Sequence, residues 1–401
     1  MTKTENIIER GQQTVMNTYG RFPYVFEKGD GVYLYDKEGK KYLDFVAGIA
    51  VNSLGYGNPR LLRRLQEQME RCMHTSNLYW IEAQVALAER LTEKSCFDKV
   101  FFCNSGTEAV ESSLKLARKY GDLTSNGERY EIITMENSFH GRTFGSITAT
   151  GQQKYQKGLG PLLPGIRYAK YNDFDSVLEQ VHDHTCAILL EPVQGEGGLI
   201  PATSEFMQKI RALCDERDML MMVDEVQTGI GRCGTLFAHE QFGIEPDVCA
   251  LAKGLGGGFP IGAMLAKDKA AAAFHPGDHA STFGGNPMAS TAGLAVLEEI
   301  EAQNLTENAR TVGAYLHGQA ETLAAKYPAH IKGVRGLGLM QGIVLNNPDE
   351  LLTIRLEAGK RGLLIISAGH DVLRMVPPLI IETKHIDEAM SILDEAFAAL
   401  G

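Results

Sequence analysis

Short continuous runs of apolar residues recur between about residues 61 and 293, and amphipathic segments separate them. The runs lie at 100–103, 186–190, 219–223, 248–251 and 262–266, and a further strand is predicted at 131–135. Runs of this length are typical of strands buried on both faces of a parallel sheet. Between two of them, Val110, Leu114 and Ala117 show the spacing of one helix face. The pattern predicts an α/β fold with a mostly parallel central sheet.

The two ends of the chain show different patterns. Alternation at 31–36, a turn at 37–40 and a second run at 42–45 predict a small hairpin. Beyond Ala292, helical spacing is followed by strand-like stretches at 339–344 and 363–366. We therefore predict three parts, which are an N-terminal segment that packs with the small domain (1–55), a large cofactor-binding domain (56–292) and a smaller α+β C-terminal domain (293–401).

Composition and charge exclude several classes of protein. The chain has 401 residues and a formal net charge of −11, without a basic block that could neutralise phosphates, so we expect no nucleic-acid partner. No apolar run reaches the ~18 residues of a membrane span, and residues 1–13 lack the apolar core of a signal peptide. The seven cysteines include no CxxC pair, which favours a reduced, cytoplasmic setting.

Polar residues follow four of the predicted strands, either directly or after one residue. The first apolar run leads into the 104–107 turn, and Glu191, Asp224 and Lys253 follow three later runs. Because ligands of doubly wound sheets lie at the carboxyl ends of the strands, we expect these side chains to converge on one edge.

The turn at Ser105, Gly106 and Thr107 lies between a strand and the start of a helix. Free backbone N–H groups and the helix dipole make such a turn an anion site, and Gly106 lets a phosphate approach the backbone. Ser105 and Glu108 also match an S-x-x-E capping box. On this motif alone, simple capping is the better interpretation.

Lys253 and Asp224 each allow two interpretations as well. A desolvated lysine amine is a nucleophile toward an aldehyde, but a lysine at a strand end also commonly points into solvent. A carboxylate behind an apolar strand needs a partner, and a pyridinium N–H, a helix N-terminus or a surface cation would each serve. Together, the phosphate turn, the acid and the lysine describe one ligand, an aldehyde-bearing phosphorylated pyridine.

At this point the sequence resembles a known family, the class III (ω-amino-acid) aminotransferases, which use pyridoxal 5'-phosphate and have the type I fold of pyridoxal-phosphate-dependent transferases. The resemblance covers nearly the whole chain. Its most specific stretches are 104–109 (NSGTEA), 139–142 (FHGR), 191–198 (EPVQGEGG), 224–229 (DEVQTG), 253–258 (KGLGGG) and 281–287 (STFGGNP).

The resemblance implies roles for matching positions. It implies catalysis by Lys253, which would hold the cofactor as a Schiff base, and by Asp224, which would pair with the pyridine nitrogen. It implies cofactor binding by Ser105, Gly106, Thr107, Phe139, Asp224, Glu225, Val226, Gln227, Lys253 and Thr282, and substrate binding by Arg142, Glu196, Ser281 and Arg374. Thr282 would reach the phosphate of the neighbouring subunit, so we expect a homodimer with shared active sites. Surface ion pairs, core packing and turn hydroxyls are the ordinary alternatives for these side chains.

The implied reaction moves the ω-amino group of N-acetylornithine to 2-oxoglutarate and yields glutamate, as a step of arginine biosynthesis. Glu196 would mask Arg374 while the donor is bound. Succinylornithine, ornithine, 4-aminobutyrate and succinyl-diaminopimelate stay open as donors, and the entrance residues Tyr19, Asn52, Tyr79 and Trp80 could set the choice.

Other classes of protein fit less well. Residues 229–234 match the G-x-G-x-x-G dinucleotide motif, but the five residues from Asp224 to Thr228 intervene after the strand, and no helix is predicted behind Gly234. The His182–Cys186 stretch and the Cys72, His74 pair lack zinc-ligand spacing, so we expect no metal. A binding module would need neither Lys253 nor Asp224. A racemase or aminomutase with the same cofactor stays open, although two carboxylate-binding arginines favour transamination.

Overall fold

The computed structural model describes residues 2–400. Its strands, in chain order, are β1 (Phe26–Asp30), β2 (Tyr33–Asp36), β3 (Lys41–Asp44), β4 (Lys99–Cys103), β5 (Glu131–Met135), β6 (Ile166–Ala169), β7 (Thr185–Leu190), β8 (Val193–Gln194), β9 (Ile200–Pro201), β10 (Leu220–Asp224), β11 (Val248–Leu251), β12 (Gly262–Ala266), β13 (Ile331–Leu337), β14 (Met340–Leu345), β15 (Leu363–Leu364), β16 (Ile366–Ala368) and β17 (Val372–Met375).

The α-helices of the same part of the chain are α1 (Lys3–Thr14), α2 (Ala47–Ala50), α3 (Pro59–Arg71), α4 (Glu82–Glu93), α5 (Gly106–Ser125), α6 (Phe144–Ala149), α7 (Gln153–Gln156), α8 (Phe174–Gln180), α9 (Ser204–Glu216), α10 (Asp268–Ala271), α11 (Pro287–Ala302), α12 (Leu305–Lys326), α13 (Glu350–Lys360) and α14 (Thr383–Ala398). Two short 3-10 helices lie at Ala238–Phe242 and Lys253–Gly256.

A seven-stranded sheet forms the centre of the molecule, in the order β4-β12-β11-β10-β7-β5-β6. The pairs β11–β10, β10–β7, β7–β5 and β5–β6 are parallel, whereas β12 runs antiparallel to β11 and β4. The mostly parallel α/β sheet is therefore confirmed. The edge strand β6 escaped prediction because it has only four residues, three of them half-buried, and so lacks a continuous apolar run.

The central strands are apolar because helices cover both faces of the sheet. Every residue of β5, β7, β10, β11 and β12 is buried. Helix α5 packs its predicted face, with Val110, Leu114 and Ala117, into the core. Each buried aliphatic side chain contributes about 1.5–3 kcal/mol relative to full exposure, so the sheet is a rigid platform for residues at its carboxyl edge.

The C-terminal part contains an antiparallel sheet in the order β13-β14-β17-β16, which packs with α12. The predicted hairpin is confirmed as β2 and β3, and it also pairs with β1. Strand β3 continues in parallel with β15, where Leu43 pairs with Leu363. The proposed boundary at 292–293 falls inside α11, so the division into domains stays a prediction. No helix between residues 2 and 400 is long and apolar enough to cross a membrane.

Candidate active site

A cleft of about 400 Å³ opens at the carboxyl edge of the central sheet. The predicted site residues that line it are Ser105, Gly106, Thr107, Phe139, Arg142, Glu196, Asp224, Val226, Gln227 and Lys253. The cleft is also lined by Val51, Asn104, His140, Gly141, Glu191, Ala252 and residues 258–261. The carboxyl ends of the strands thus bring together residues that lie up to 148 positions apart in the chain, from Ser105 to Lys253.

The N-terminus of α5 forms one wall of the cleft. The Ser105 hydroxyl accepts a hydrogen bond from the Glu108 backbone N–H at 3.4 Å, but the Glu108 carboxylate accepts from the Asn104 N–H at 2.7 Å. The capping box is therefore only half formed. A Cβ atom at Gly106 would lie 2.7 Å from Val226, so glycine is required for the chain to pass here. The first N–H groups of this 20-residue helix and its dipole provide a site for an anion.

Lys253 follows β11 and opens the 3-10 helix Lys253–Gly256. Its φ of +42° lies in the left-handed region, which costs a non-glycine residue about 1 kcal/mol or more. Such strain is characteristic of functional positions, where the surrounding structure holds the backbone in place. Burial lowers the pKa of the Lys253 ammonium, and a lysine with a lowered pKa has more of the free, nucleophilic amine.

Asp224 ends β10 as a buried carboxylate with two partners. Its Oδ2 lies 2.7 Å from His140 Nδ1, and its Oδ1 accepts a hydrogen bond from the Val226 N–H at 3.0 Å. The other ring nitrogen of His140 lies 3.1 Å from Thr134 Oγ1. This series of contacts fixes the direction of the Asp224 carboxylate. Sequence reasoning missed the role of His140, although it lies inside the quoted 139–142 stretch.

Glu191 holds two loops of the cleft together. It accepts hydrogen bonds from the Phe139 N–H at 3.0 Å and from the Gly195 N–H at 3.1 Å. Burial raises the pKa of its carboxyl group to about 7. The sequence placed Glu191 at the same edge, but only the structure shows that it supports the loops that carry Phe139 and Glu196.

Arg374 and Glu196 form an ion pair beside Gln227. Arg374 Nη1 donates to Glu196 Oε1 at 2.5 Å and to Gln227 Oε1 at 3.1 Å. Arg374 is buried, so its charge needs this partner. Burial opposes ionisation of Glu196, but Arg374 outweighs burial and holds the pKa of this carboxyl below its usual value.

Arg142 lies at the open side of the cleft and is exposed. Its guanidinium carbon lies 4.1 Å from the centroid of the Tyr155 ring and 5.3 Å from that of Phe139. The Thr107 hydroxyl accepts from the backbone N–H of Arg142 at 3.0 Å, which attaches this loop to α5. Arg142 is therefore held by ring stacking in a position where its donor fork can face a bound carboxylate.

Three predicted site residues do not line the cleft of this chain, namely Glu225, Ser281 and Thr282. The Glu225 carboxylate points away, because it accepts from the backbone N–H groups of Ala238 and His239 at 2.6 and 2.9 Å. The carboxylates of these two neighbouring acids thus point in different directions, and the role of Glu225 in cofactor binding stays a prediction. Ser281 closes a turn by accepting from the Gly284 N–H at 2.9 Å, and Thr282 is exposed. Neither lines the cleft of its own chain.

The cleft fits a phosphorylated pyridine aldehyde. A phosphate can reach the helix N-terminus because residue 106 has no side chain, and a ring nitrogen can meet the oriented carboxylate of Asp224. Lys253, with its lowered pKa, lines the same cavity. One anion site, one acid and one nucleophilic amine are the three groups that this cofactor requires.

The chain belongs to the class III aminotransferases, whose family model matches residues 14–397. It is therefore a pyridoxal-phosphate-dependent transaminase with the type I fold. A curated relative, the acetylornithine aminotransferase of Caldanaerobacter subterraneus, is 53% identical over 96% of this chain and 98% of its own length.

Two solved structures share the whole architecture. The ornithine aminotransferase of Toxoplasma gondii matches with a TM-score of 0.95 at 28% identity, over 100% of this chain and 96% of that one. The N-acetylornithine aminotransferase of Stenotrophomonas maltophilia matches with a TM-score of 0.84 at 36% identity, over 98% and 99% of the two chains. The fold alone thus does not distinguish an ornithine aminotransferase from an N-acetylornithine aminotransferase.

Proposed function

We propose that this enzyme transfers the ω-amino group of N-acetylornithine to 2-oxoglutarate, giving N-acetylglutamate semialdehyde and glutamate, in the cytoplasm and as a step of arginine biosynthesis. The donor is supported by the full-length curated relatives at about 50% identity that carry the name acetylornithine aminotransferase. The observation that carries a two-substrate transamination is the ion pair of Arg374 and Glu196 beside Lys253.

The chain's own residues divide the work of holding the cofactor. When bound, pyridoxal phosphate supplies an aldehyde and an electron-withdrawing ring. The α5 N-terminus at 105–107 binds the phosphate, and Asp224 keeps a proton on the ring nitrogen. Phe139 and Val226 line the cleft as apolar walls, which suits the two faces of a flat ring. Gln227 can donate from its amide to the ring hydroxyl, since its amide oxygen already accepts from Arg374.

Lys253 has two tasks in this proposal. Its Nζ would hold the cofactor covalently. Once the substrate is bound, the free Nζ would be the base that accepts the proton from the reacting carbon of the substrate and the acid that donates it back. A general base works best when its pKa lies near the working pH, and burial moves the pKa of Lys253 in that direction.

Arg374 and Glu196 let one cleft accept two different substrates. The ω-amino donor has no carboxylate near Arg374, and Glu196 neutralises this buried cation while the donor reacts. Glutamate and 2-oxoglutarate carry a second carboxylate that can take the place of Glu196 with bidentate geometry. Arg142, at the open side of the cleft, binds the remaining carboxylate of either substrate.

We expect Glu196→Ala to slow the donor half-reaction about tenfold, or about 1.4 kcal/mol, and the glutamate half-reaction less than about threefold. Without Glu196, a free Arg374 captures the α-carboxylate of the donor and turns its amine away from Lys253. Single-turnover absorbance measurements separate the two half-reactions. Glu196→Gln, which keeps the shape but removes the charge, should show the same asymmetry. Equal losses in both half-reactions would contradict the masking role.

The assignment of the donor has its own test. Purified enzyme is supplied with 2-oxoglutarate and, in turn, N-acetylornithine, succinylornithine, ornithine, 4-aminobutyrate and succinyl-diaminopimelate, and glutamate formation is followed. We expect N-acetylornithine to give the highest kcat/KM. A higher value for unacylated ornithine or 4-aminobutyrate would replace the proposed donor and leave the transaminase mechanism intact.

A homodimer with shared active sites explains an otherwise exposed apolar segment. Leu78, Tyr79 and Trp80 are 85%, 70% and 93% exposed, and adjoining apolar side chains of this size usually mark an interface. Asn77 donates to the backbone oxygens of Ser281 and Gly284, at 2.9 Å each. The segment and the Thr282 turn thus belong to one surface, from which Thr282 can reach the phosphate site of a second subunit.

We expect Trp80→Glu to shift the enzyme toward monomers and to lower its activity at least about tenfold, because an unpaired charge in an interface costs about 3–5 kcal/mol. Sedimentation velocity and kcat at the same protein concentration measure both effects. Leu352→Glu is the matched control, since Leu352 is 57% exposed on α13 and should leave both unchanged. A fully active monomeric wild type would contradict the shared site.

A further inference from the structure

Three side chains outside the cleft form a connected series from the surface to the core. Cys96 Sγ lies 3.8 Å from His239 Nε2, and His239 Nδ1 lies 2.8 Å from Glu225 Oε1. His239 and Glu225 are both buried, whereas Cys96 is only half-buried. A nucleophile, an imidazole and a carboxylate that orients the imidazole are the geometric signature of an activated thiol. The transaminase reaction uses none of the three.

Glu225 is fixed as the orienting group. It accepts from two backbone N–H groups, of Ala238 and His239, in addition to the imidazole. These contacts fix the carboxylate, which in turn holds the ring of His239 in one direction. The rings of Phe97 and Phe237 lie 5.7 and 5.5 Å from that of His239 and exclude water from it.

The electrostatics favour a positive charge on the imidazole. Burial opposes protonation of His239, but its contacts with Cys96 and Glu225 outweigh burial and raise the pKa of the ring to about 9. Glu240 is the other acid that acts on His239, and the buried thiol of Cys249 is the other titratable group near Cys96. The ring nitrogen Nε2 lies 3.8 Å from Sγ, where it can donate toward the sulfur as a new bond forms.

We propose that Cys96 is a modification site that forms mixed disulfides with low-molecular-weight disulfides, with His239 as the activating group and Glu225 as the orienting group. The thiolate of Cys96 attacks one sulfur of the disulfide R–S–S–R, and a new S–S bond forms as the old one breaks. Cys96 is oxidised, one half of the reagent is reduced, and R–S⁻ leaves and takes a proton from water.

The position of Cys96 keeps it available in the proposed dimer. It lies beyond the C-terminal end of α4, whereas the apolar segment 78–80 precedes the N-terminal end of the same helix. The 12 residues of α4 separate the two by about 18 Å. Cys96 Sγ also lies 4.0 Å from the Pro246 carbonyl oxygen. A thiol that donates to this oxygen is the alternative to the contact with His239.

The test uses the full-length holoenzyme and bis(2-hydroxyethyl) disulfide, a small neutral reagent, at pH 6.5. Peptide mapping by mass spectrometry gives the rate at Cys96, and N-acetylcysteine amide is the reference thiol. Because the oriented imidazole lies within reach of Sγ, we expect Cys96 to react at least about tenfold faster than the reference. The advantage should shrink above pH 9, where His239 loses its proton.

Variants identify the activating group. His239→Gln should bring the rate at Cys96 down to that of the reference thiol or below, whereas His184→Gln, at a surface histidine that bonds the Glu128 carbonyl oxygen, should leave it unchanged. Cys96→Ser should remove the adduct and keep the basal transaminase activity. If His239→Gln fails to fold, the pH profile of the wild type decides. A rate at Cys96 no faster than the reference, or one with the pH dependence of an ordinary thiol, would overturn the proposal.

Discussion

Lys253→Ala is expected to abolish transamination, with kcat falling by at least about 10⁴-fold. A positioned general base alone contributes about 10²–10⁴-fold, and the same amine also holds the cofactor covalently. The lysine lines the cleft with a strained backbone and a pKa that burial lowers, and no other lysine lines this cavity in the part of the chain described. Glutamate formation measures the loss of turnover.

A spectrum separates a chemical effect from misfolding. Cofactor attached to a lysine has a visible absorbance band, which should disappear in Lys253→Ala, while the phosphate site at 105–107 still binds added cofactor. Lys269→Ala is the control, because its exposed ammonium pairs with Asp218 only at 3.4 Å on the surface, and such pairs contribute little. Retention of turnover and of the band in Lys253→Ala would end the assignment of this residue.

Much of the site could be predicted because the central strands are buried on both faces. The predicted bounds of β5, β11 and β12 agree with the structure, since each strand is mostly apolar and a polar residue follows within two positions. The carboxyl ends of neighbouring parallel strands must lie together, so the convergence of Asp224 and Lys253 follows from the chain alone. The antiparallel direction of β12 did not follow, because an apolar run has no signal for direction.

The remaining features depend on tertiary contacts that leave no local pattern. Asp224 and Glu225 are adjacent acids, and only the packing of residues 237–239 shows that the second one faces the core. His140 acts through Asp224, which lies 84 residues further along the chain. Strand β1 pairs with the hairpin although its burial pattern is mostly exposed, so it has no alternating apolar face to detect.

Asp224→Asn is expected to lower kcat about 10²–10³-fold, or about 3–4 kcal/mol of transition-state stabilisation. The amide keeps the shape and the hydrogen bond from the Val226 N–H, but it cannot keep a proton on the ring nitrogen, and an unprotonated ring withdraws electrons poorly. His140→Gln should cost only about tenfold, because it frees the carboxylate to rotate without removing its charge. Steady-state kcat of the two variants tests this order.

The balance between the half-reactions distinguishes Asp224 from Glu196. Electron withdrawal is needed whenever a proton leaves the reacting carbon, so Asp224→Asn should slow the donor and glutamate half-reactions by the same factor, whereas Glu196→Ala should slow them unequally. A near-normal kcat in Asp224→Asn would mean that the buried carboxylate, 2.7 Å from His140, serves the fold rather than the ring. A larger loss in His140→Gln than in Asp224→Asn would instead make the imidazole the group that acts on the cofactor.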